Sequence, residues 1–374
     1  MAPGSVAIKQ ARTRREIKAF VGLPWSIYKN DQYWVPPQRS DLMDQFQPAH
    51  PFFEHARMDL FMAFRDGRPV GRVAGIVDQN YIDFHNEPIA FFGFFESVND
   101  PEVAKAIFDH LKAWAKELGF DKIRGPFNPS TNDPCGFLAQ GFDDPPTLLM
   151  PYNPPYYLDL IKGCGLTACK DLPAYIMHRS PNEFLNRIAQ KVHARLPGLT
   201  VRPIKVKELR EELSIFLDVY NSAWSENWGF VPITDSEIEH LASQLKWGIV
   251  PELIQVAELD SEPIGVIVSF PDYNFIFKKM KSGRMTPLGL ARFLFCRNKI
   301  TKARVWMLGV KKKYRQLGVE TVLISDTWDK AYAWGIESAE MSWILDDNLP
   351  MRRAIERIGG EVYKVYRIFE GQTG

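Results

Sequence analysis

Val305–Leu323 reads VWMLGVKKKYRQLGVETVL. The run Arg304–Val310 predicts a strand, Lys311–Gly318 carries turn chemistry, and Val319, Val322, Leu323, Thr327 and Ala331 recur at helical spacing until Gly335. A strand that passes through glycine into a helix leaves the helix's first amides unpaired. Those N–H groups and the helix dipole suit an anion, a phosphate above all.

The stretch lies in the most basic part of the chain. Over 374 residues, 46 basic and 45 acidic side chains give a net charge of +1, yet Tyr273–Val319 holds 13 Lys or Arg and no acid. Such a block is a solvated face or an anion-binding surface. No recognition motif accompanies it, so no nucleic acid is expected.

The length predicts two domains, and 45% hydrophobic with 24% charged residues excludes disordered and fibrous classes. No apolar run approaches the roughly 18 residues of a membrane span, and the N-terminal residues ahead of Lys9 and Arg12 lack a signal-peptide core. The expected location is the cytoplasm. Cys135, Cys164, Cys169 and Cys296 form no C-x-x-C pair, so they are expected to be reduced, and no metal site is predicted.

Working outward, the chain repeats itself. Ala63, Asp66, Pro69, Gly71, Asp78 and Asn80 recur as Ala257, Asp260, Pro263, Gly265, Asp272 and Asn274, each displaced by 194 residues. Both copies read as a hairpin, with turns at Asp66–Gly67 and near Asp260–Ser261. Each then predicts a strand (Phe91–Glu96; Arg304–Val310), a helix (from Asp100–Pro101; from Gly318) and a strand (Lys122–Arg124; Ile336–Leu345). A short helix (Pro154–Gly163; Pro350–Gly359) and a closing strand follow. Phe184, Ile188 and Val192 predict a connecting helix. The expected organisation is a domain over 1–182, a linker helix over 183–197 and a second domain over 198–374, each α/β (α+β) with a mixed twisted sheet flanked by helices.

On these residues the second half resembles the GCN5-related N-acetyltransferase (GNAT) superfamily. There a splayed strand and an R/Q-x-x-G-x-G/A turn bind the coenzyme A pyrophosphate. The resemblance assigns acyl-CoA binding to Leu308, Gly309, Val310, Tyr314, Arg315, Gln316, Leu317, Gly318 and Val319, with Asn348 on the pantetheine. Glu320 departs from the pattern, a carboxylate where the family has Gly or Ala. Ile355 stands where the family's thiolate-protonating tyrosine would be.

Acyl transfer to an amine needs a neutral amine, a positioned thioester and oxyanion donors. Glu340, on the strand beside the predicted splay, and Asp347, beyond its end, are candidate bases. Tyr363 and Tyr366 are candidate acids. His55, beside Glu54, is an outside candidate in the first half. At the position of the phosphate turn that half reads Glu96–Glu102 with Asp100 and no glycine, so it is expected to be a degenerate copy.

LPWSIYKNDQYWVPP, GRPVGRVAGIVD, GPFNPSTND, YNPPYYLDL, YNSAWSENWGFVP and MSWILDDNLPM extend the resemblance over nearly the whole chain, to a bacterial family of tandem acyltransferase-like proteins that includes the bacterial ceramide synthases. It implies transfer of a fatty acyl group from acyl-CoA to the amine of a sphingoid base. Acetylation of a small amine or protein, and a non-catalytic acyl-CoA or lipid sensor, are the alternatives. Met285–Arg304 adds a basic amphipathic helix that either lies on an anionic membrane, such as the inner membrane, or packs in a core.

Overall fold

The computed structural model describes residues 4–178 and 183–374, so the domain end expected at 182 lies outside the described residues. In chain order the strands are β1 (Ala7–Gln10), β2 (Ala56–Arg65), β3 (Arg68–Asp78), β4 (Ala90–Ser97), β5 (Lys122–Gly125), β6 (Phe137–Gln140), β7 (Thr167–His178), β8 (Leu199–Pro203), β9 (Ile254–Leu259), β10 (Glu262–Pro271), β11 (Lys302–Val310), β12 (Ser338–Met341) and β13 (Glu361–Gln372). The helices that position the site are α1 (Pro101–Glu117), α2 (Tyr157–Gly163), α3 (Glu183–Arg195), α4 (Leu209–Trp224), α5 (Asp235–Leu245), α6 (Pro287–Cys296), α7 (Val319–Trp334) and α8 (Leu349–Arg357).

Two compact units result. The first contains the chain up to Leu172, Phe277–Thr286 and Lys364–Gly374, and the second contains Pro173–Ile276 and Pro287–Tyr363. In the first, the strand order is β1-β2-β3-β4-β5-β13, with β6 also on β13. In the second it is β8-β9-β10-β11-β12-β7. Among these neighbours only β4–β5 and β11–β12 run parallel within their unit, the two pairs that a helical crossover joins. Both units are mixed α/β sheets flanked by helices, as expected.

The duplication extends to backbone detail. Asp66 and Gly67 (φ 51° and 73°) and Asp260 and Ser261 (φ 50° and 69°) have positive φ at both central turn positions, the geometry that a two-residue hairpin loop requires. Each hairpin then skips one residue in register, Val70 between Pro69 and Gly71, and Ile264 between Pro263 and Gly265. The skipped carbonyls accept equivalent bonds, from Val98 N–H at 3.0 Å and from Lys311 N–H at 2.8 Å.

α1 buries Val103, Ile107, Phe108, Leu111 and Trp114 against Phe61, Val73 and Phe92 of the first sheet. α7 packs Val319, Val322 and Leu323 on Ile264, Ile267 and Val310 of the second, with Ala189 and Val192 of α3 in the same cluster. The expected connecting helix is present as α3, which buries Leu185, Ala189 and Val192, with Ile188 packed against the same core as Ala189 and Val192, while Phe184 is 51% exposed. β12 is shorter than the Ile336–Leu345 run because the chain leaves the sheet after Met341.

Candidate active site

β11 and β12 pair only from Lys302↔Ser338 to Val305↔Met341, yet β11 continues to Val310. On its other edge β11 pairs Val305 with Ser269 and Met307 with Val268, leaving Trp306 as a bulge. Beyond Met341 the chain turns aside, and Ile344 N–H bonds the Pro173 carbonyl at 2.9 Å. The two strands therefore splay apart, and the edge of β11 past Val305 is open to an extended ligand.

Gly318 caps α7 in the left-handed region (φ 82°), and among the described residues no side chain accepts from the first-turn amides. A Cβ at Gly318 would lie 2.8 Å from Val192 Cγ2, so this turn needs glycine for both conformation and space. The turn leading to these uncapped amides carries Lys311, Lys312, Lys313 and Arg315. These cations are held by neighbours: Lys311 by Asp218 at 2.5 Å, Lys312 by Glu226 at 3.0 Å and Lys313 by Glu262 at 2.8 Å. Lys312 holds Glu226, and Lys313 with Tyr314 holds Glu262, below the usual carboxylate range, while Glu262 pushes Lys313 up to about 12. The Lys312 and Lys313 pairs are exposed, so little is lost when these cations exchange partner for a phosphate, while Lys311 is only 12% exposed. Arg315 donates to the Ala223 carbonyl of α4, tying the turn to that helix.

The first unit has the same frame, filled from within. β4 and β5 pair at Ala90↔Ile123 and Phe91↔Arg124, and β4 then bulges against β3 between Arg72 and Ala74. There, however, Phe127 N–H bonds the Phe92 carbonyl at 2.8 Å and Asn128 Oδ1 accepts from Phe94 N–H at 2.6 Å. A Cβ at Gly93 would sit 1.7 Å from the Phe127 oxygen. At the helix end, Asp100 Oδ1 accepts from the Glu102 and Val103 amides, so a carboxylate occupies the anion position of α1.

At the closed end of the second splay lies a buried polar chain. Glu340 is fully buried, opposite Arg304 in register. Ser342 Oγ donates to Glu340 Oε1 and accepts from Arg304 Nε at 3.0 Å, and Arg304 Nη2 bonds the Ser342 carbonyl at 3.1 Å. Tyr363 Oη donates to Glu340 Oε2 and accepts from Lys302 Nζ at 3.3 Å. A carboxylate so placed can take a proton through Tyr363, whose phenol can also give one back.

The other predicted residues fall elsewhere. Asp347 is exposed just before α8. Asn348 caps α8, its Oδ1 accepting from Met351 N–H at 3.3 Å. Tyr366 is fully buried in the first unit, in the row opposite Leu138, so Tyr363 is the tyrosine of that strand that meets Glu340. His55 Nδ1 lies 3.0 Å from Asp78 Oδ1, a buried contact in the first unit beside the Asp78 cap of the following helix. Leu308 and Val310 pack towards α7, Gly309 admits the Trp224 ring against β11, and Leu317 is 38% exposed. Ile355 fills a core with Tyr175, Met341 and Ile358. The Tyr175 hydroxyl there accepts from Arg352 Nε at 2.9 Å and donates to Glu356 at 3.0 Å.

α6 spans only Pro287–Cys296 and is apolar towards solvent. Gly289 and Phe293 are its buried residues, whereas Leu288, Leu294 and Phe295 are 70%, 57% and 81% exposed. It is not a core helix. No helix of the described residues is long and apolar enough to cross a membrane.

No protein-family model matches the chain. Two curated relatives do over nearly its full length: the bacterial ceramide synthase of Caulobacter vibrioides, 33% identical over 98% of this chain and 97% of the relative, and protein YghO of Escherichia coli, 33% identical over 96% and 93%. The chain belongs to this tandem GNAT family. It is, accordingly, a GNAT-type N-acyltransferase. Solved structures share the fold at low identity. A tandem GNAT protein from the clavulanic acid biosynthesis pathway, solved without AcCoA, superposes with a TM-score of 0.58 at 12% identity, covering 99% of both chains. A GCN5-related N-acetyltransferase from Sphaerobacter thermophilus does so at 0.53 and 12%, covering 98% of this chain and 96% of the other. The family's frame thus survives twice in this chain, open in one copy and self-filled in the other.

Proposed function

We propose that the protein transfers a long-chain acyl group from acyl-CoA to the amine of a lipophilic acceptor, a sphingoid base being the leading version, with the chemistry in the second unit. The observation that carries this reading is the open splay beside an uncapped glycine-led helix. Its counterpart in the first unit is closed at both points. One acyl-CoA per chain is the consequence.

The amides at Val319 and Glu320 and the cations of Lys311–Lys313 receive the pyrophosphate, and the open edge of β11 aligns the pantetheine and offers N–H groups to the oxyanion. The substrate ammonium passes a proton to Glu340, directly or through Tyr363. The neutral amine attacks the thioester carbon, the C–S bond breaks as the C–N bond stands, and Tyr363 protonates the leaving thiolate. The products are amide and free CoA, with one net proton released. The 33% identical ceramide synthase supports the lipid version, as does α6, whose outward Leu288, Leu294 and Phe295, with Arg292 and with Arg297 and Lys299 of the turn that follows, suit the surface of an anionic bilayer. Thiol release measured with acetyl-CoA and palmitoyl-CoA, each with sphinganine or a short alkylamine, tests the reading. Preference for acetyl-CoA with the short amine would contradict it.

A further inference from the structure

The second unit contains an open apolar groove on the face of the sheet away from α7. Its floor is Val256, Val266 and Val268, its walls are Phe216 of α4 and Leu241 of α5, and it ends at Trp306. It holds about 620 Å³ of empty space, counted out through its open mouth. Two polar residues line it, and both are engaged. Glu212 accepts from Arg202 at 2.8 Å, and Gln255 donates to the Glu252 carbonyl and accepts from Lys330 at 2.8 Å. The lining recognises apolar surface and little else.

Register ties this groove to the proton-handling chain. Phe270 lines the groove and lies opposite Arg304, and Arg304 lies opposite Glu340, so the three form one row across β10, β11 and β12. Cross-strand neighbours share a face and stand about 5 Å apart. Val305 and Met341, one residue on, point the other way into the core with Ile355. Trp306, the bulged residue where the splay opens, forms the end of the groove. The groove therefore ends, at Trp306, where the splay opens, and its Phe270 lies two strands across from Glu340.

We infer that this groove binds the unbranched alkyl chain of a substrate, with its reactive end at the splay. The inference rests on the acyl transfer proposed above and supplies its specificity. The chain belongs either to the acyl group, entering past Trp306, or to the amine, with its head at Glu340 and Tyr363. A chain in a dry channel gains affinity by burial alone, about fourfold per methylene, until the channel is full.

The test uses the full-length protein in two arms. One varies the acyl-CoA from acetyl to palmitoyl with one amine, and the other varies a primary alkylamine from butyl to hexadecyl with one acyl-CoA. Each arm measures kcat/KM and, by titration calorimetry, Kd. In the arm whose chain fills the groove, Kd tightens severalfold per methylene and then levels. Ala242→Trp or Leu245→Trp, which fill the groove from α5, flatten that slope. Ser243→Trp, on the exposed side of the same helix, does not, and melting temperatures check each fold. A steep slope in either arm that Ala242→Trp and Leu245→Trp flatten supports the inference and names the source. A slope that folded groove-filling variants leave intact, or no slope in either arm, overturns it. Chain-length-dependent binding without thiol release would remove the acyltransferase reading and leave the groove as a lipid site.

Discussion

The backbone N–H of Phe127 donates to the carbonyl of Phe92 at 2.8 Å, closing in the first unit the gap that stays open in the second beyond Val305 and Met341. Because Asp100 also occupies the amides of α1, one acyl-CoA is expected per chain by calorimetry. Gly318→Val, which meets both the positive φ and Val192, should weaken acyl-CoA binding at least tenfold. Asp100→Ala should leave the stoichiometry at one and cost about 1 kcal/mol of stability, the worth of an N-cap. Two bound nucleotides per wild-type chain would remove the distinction between the units.

Glu340 and Tyr363 are expected to act as a pair. Glu340→Gln should lower kcat by roughly 10²–10⁴ while the KM for acyl-CoA stays within a few-fold, and Tyr363→Phe should lower it less. Since Glu340 is buried among Ser342, Arg304 and Tyr363, circular dichroism melting must accompany the kinetics. A stably folded Glu340→Gln enzyme with full turnover assigns the base elsewhere.

The sequence made the repeat, the two hairpins and the strand–glycine–helix turn legible because each depends on local chemistry: positive-φ turn residues, alternation and a helix-stopping Gly335. Glu340 was visible as a carboxylate on the right strand, but its partners were not. Arg304 reaches it only through strand register, which no local pattern specifies, whereas Ser342 is a near neighbour two residues on. Choosing Tyr363 over Tyr366 likewise depends on where the last strand lies, with the two residues in different units. The groove escaped because its lining is ordinary aliphatic sequence scattered from Ile204 to Trp306.

α6 should attach the protein to vesicles containing anionic lipid. Replacing Leu288, Leu294 and Phe295 by Ser removes apolar burial worth roughly tenfold in partitioning per residue. Raising the salt weakens the share due to Arg292, Arg297 and Lys299. Co-sedimentation reads both effects. Wild-type protein that ignores vesicles but dimerises through the same three residues would make α6 a protein interface.

Burial pushes the Cys164 and Cys169 thiols up to about 11. A raised thiol pKa means less thiolate at a given pH, roughly a thousandth at pH 8. Site-resolved alkylation should therefore lag far behind glutathione at pH 8 and accelerate as the pH approaches 11. Rapid labelling at pH 8 would show these sites to be exposed.

The most direct measurement is product analysis of the purified protein with palmitoyl-CoA and sphinganine, following free thiol and N-acyl product together by mass spectrometry. Thiol and amide are expected in equal amounts, both reduced at limiting acyl-CoA with Gly318→Val and reduced at saturation with Glu340→Gln. Tight acyl-CoA binding with neither thiol nor amide, at any acyl length, would contradict an N-acyltransferase working at the second splay.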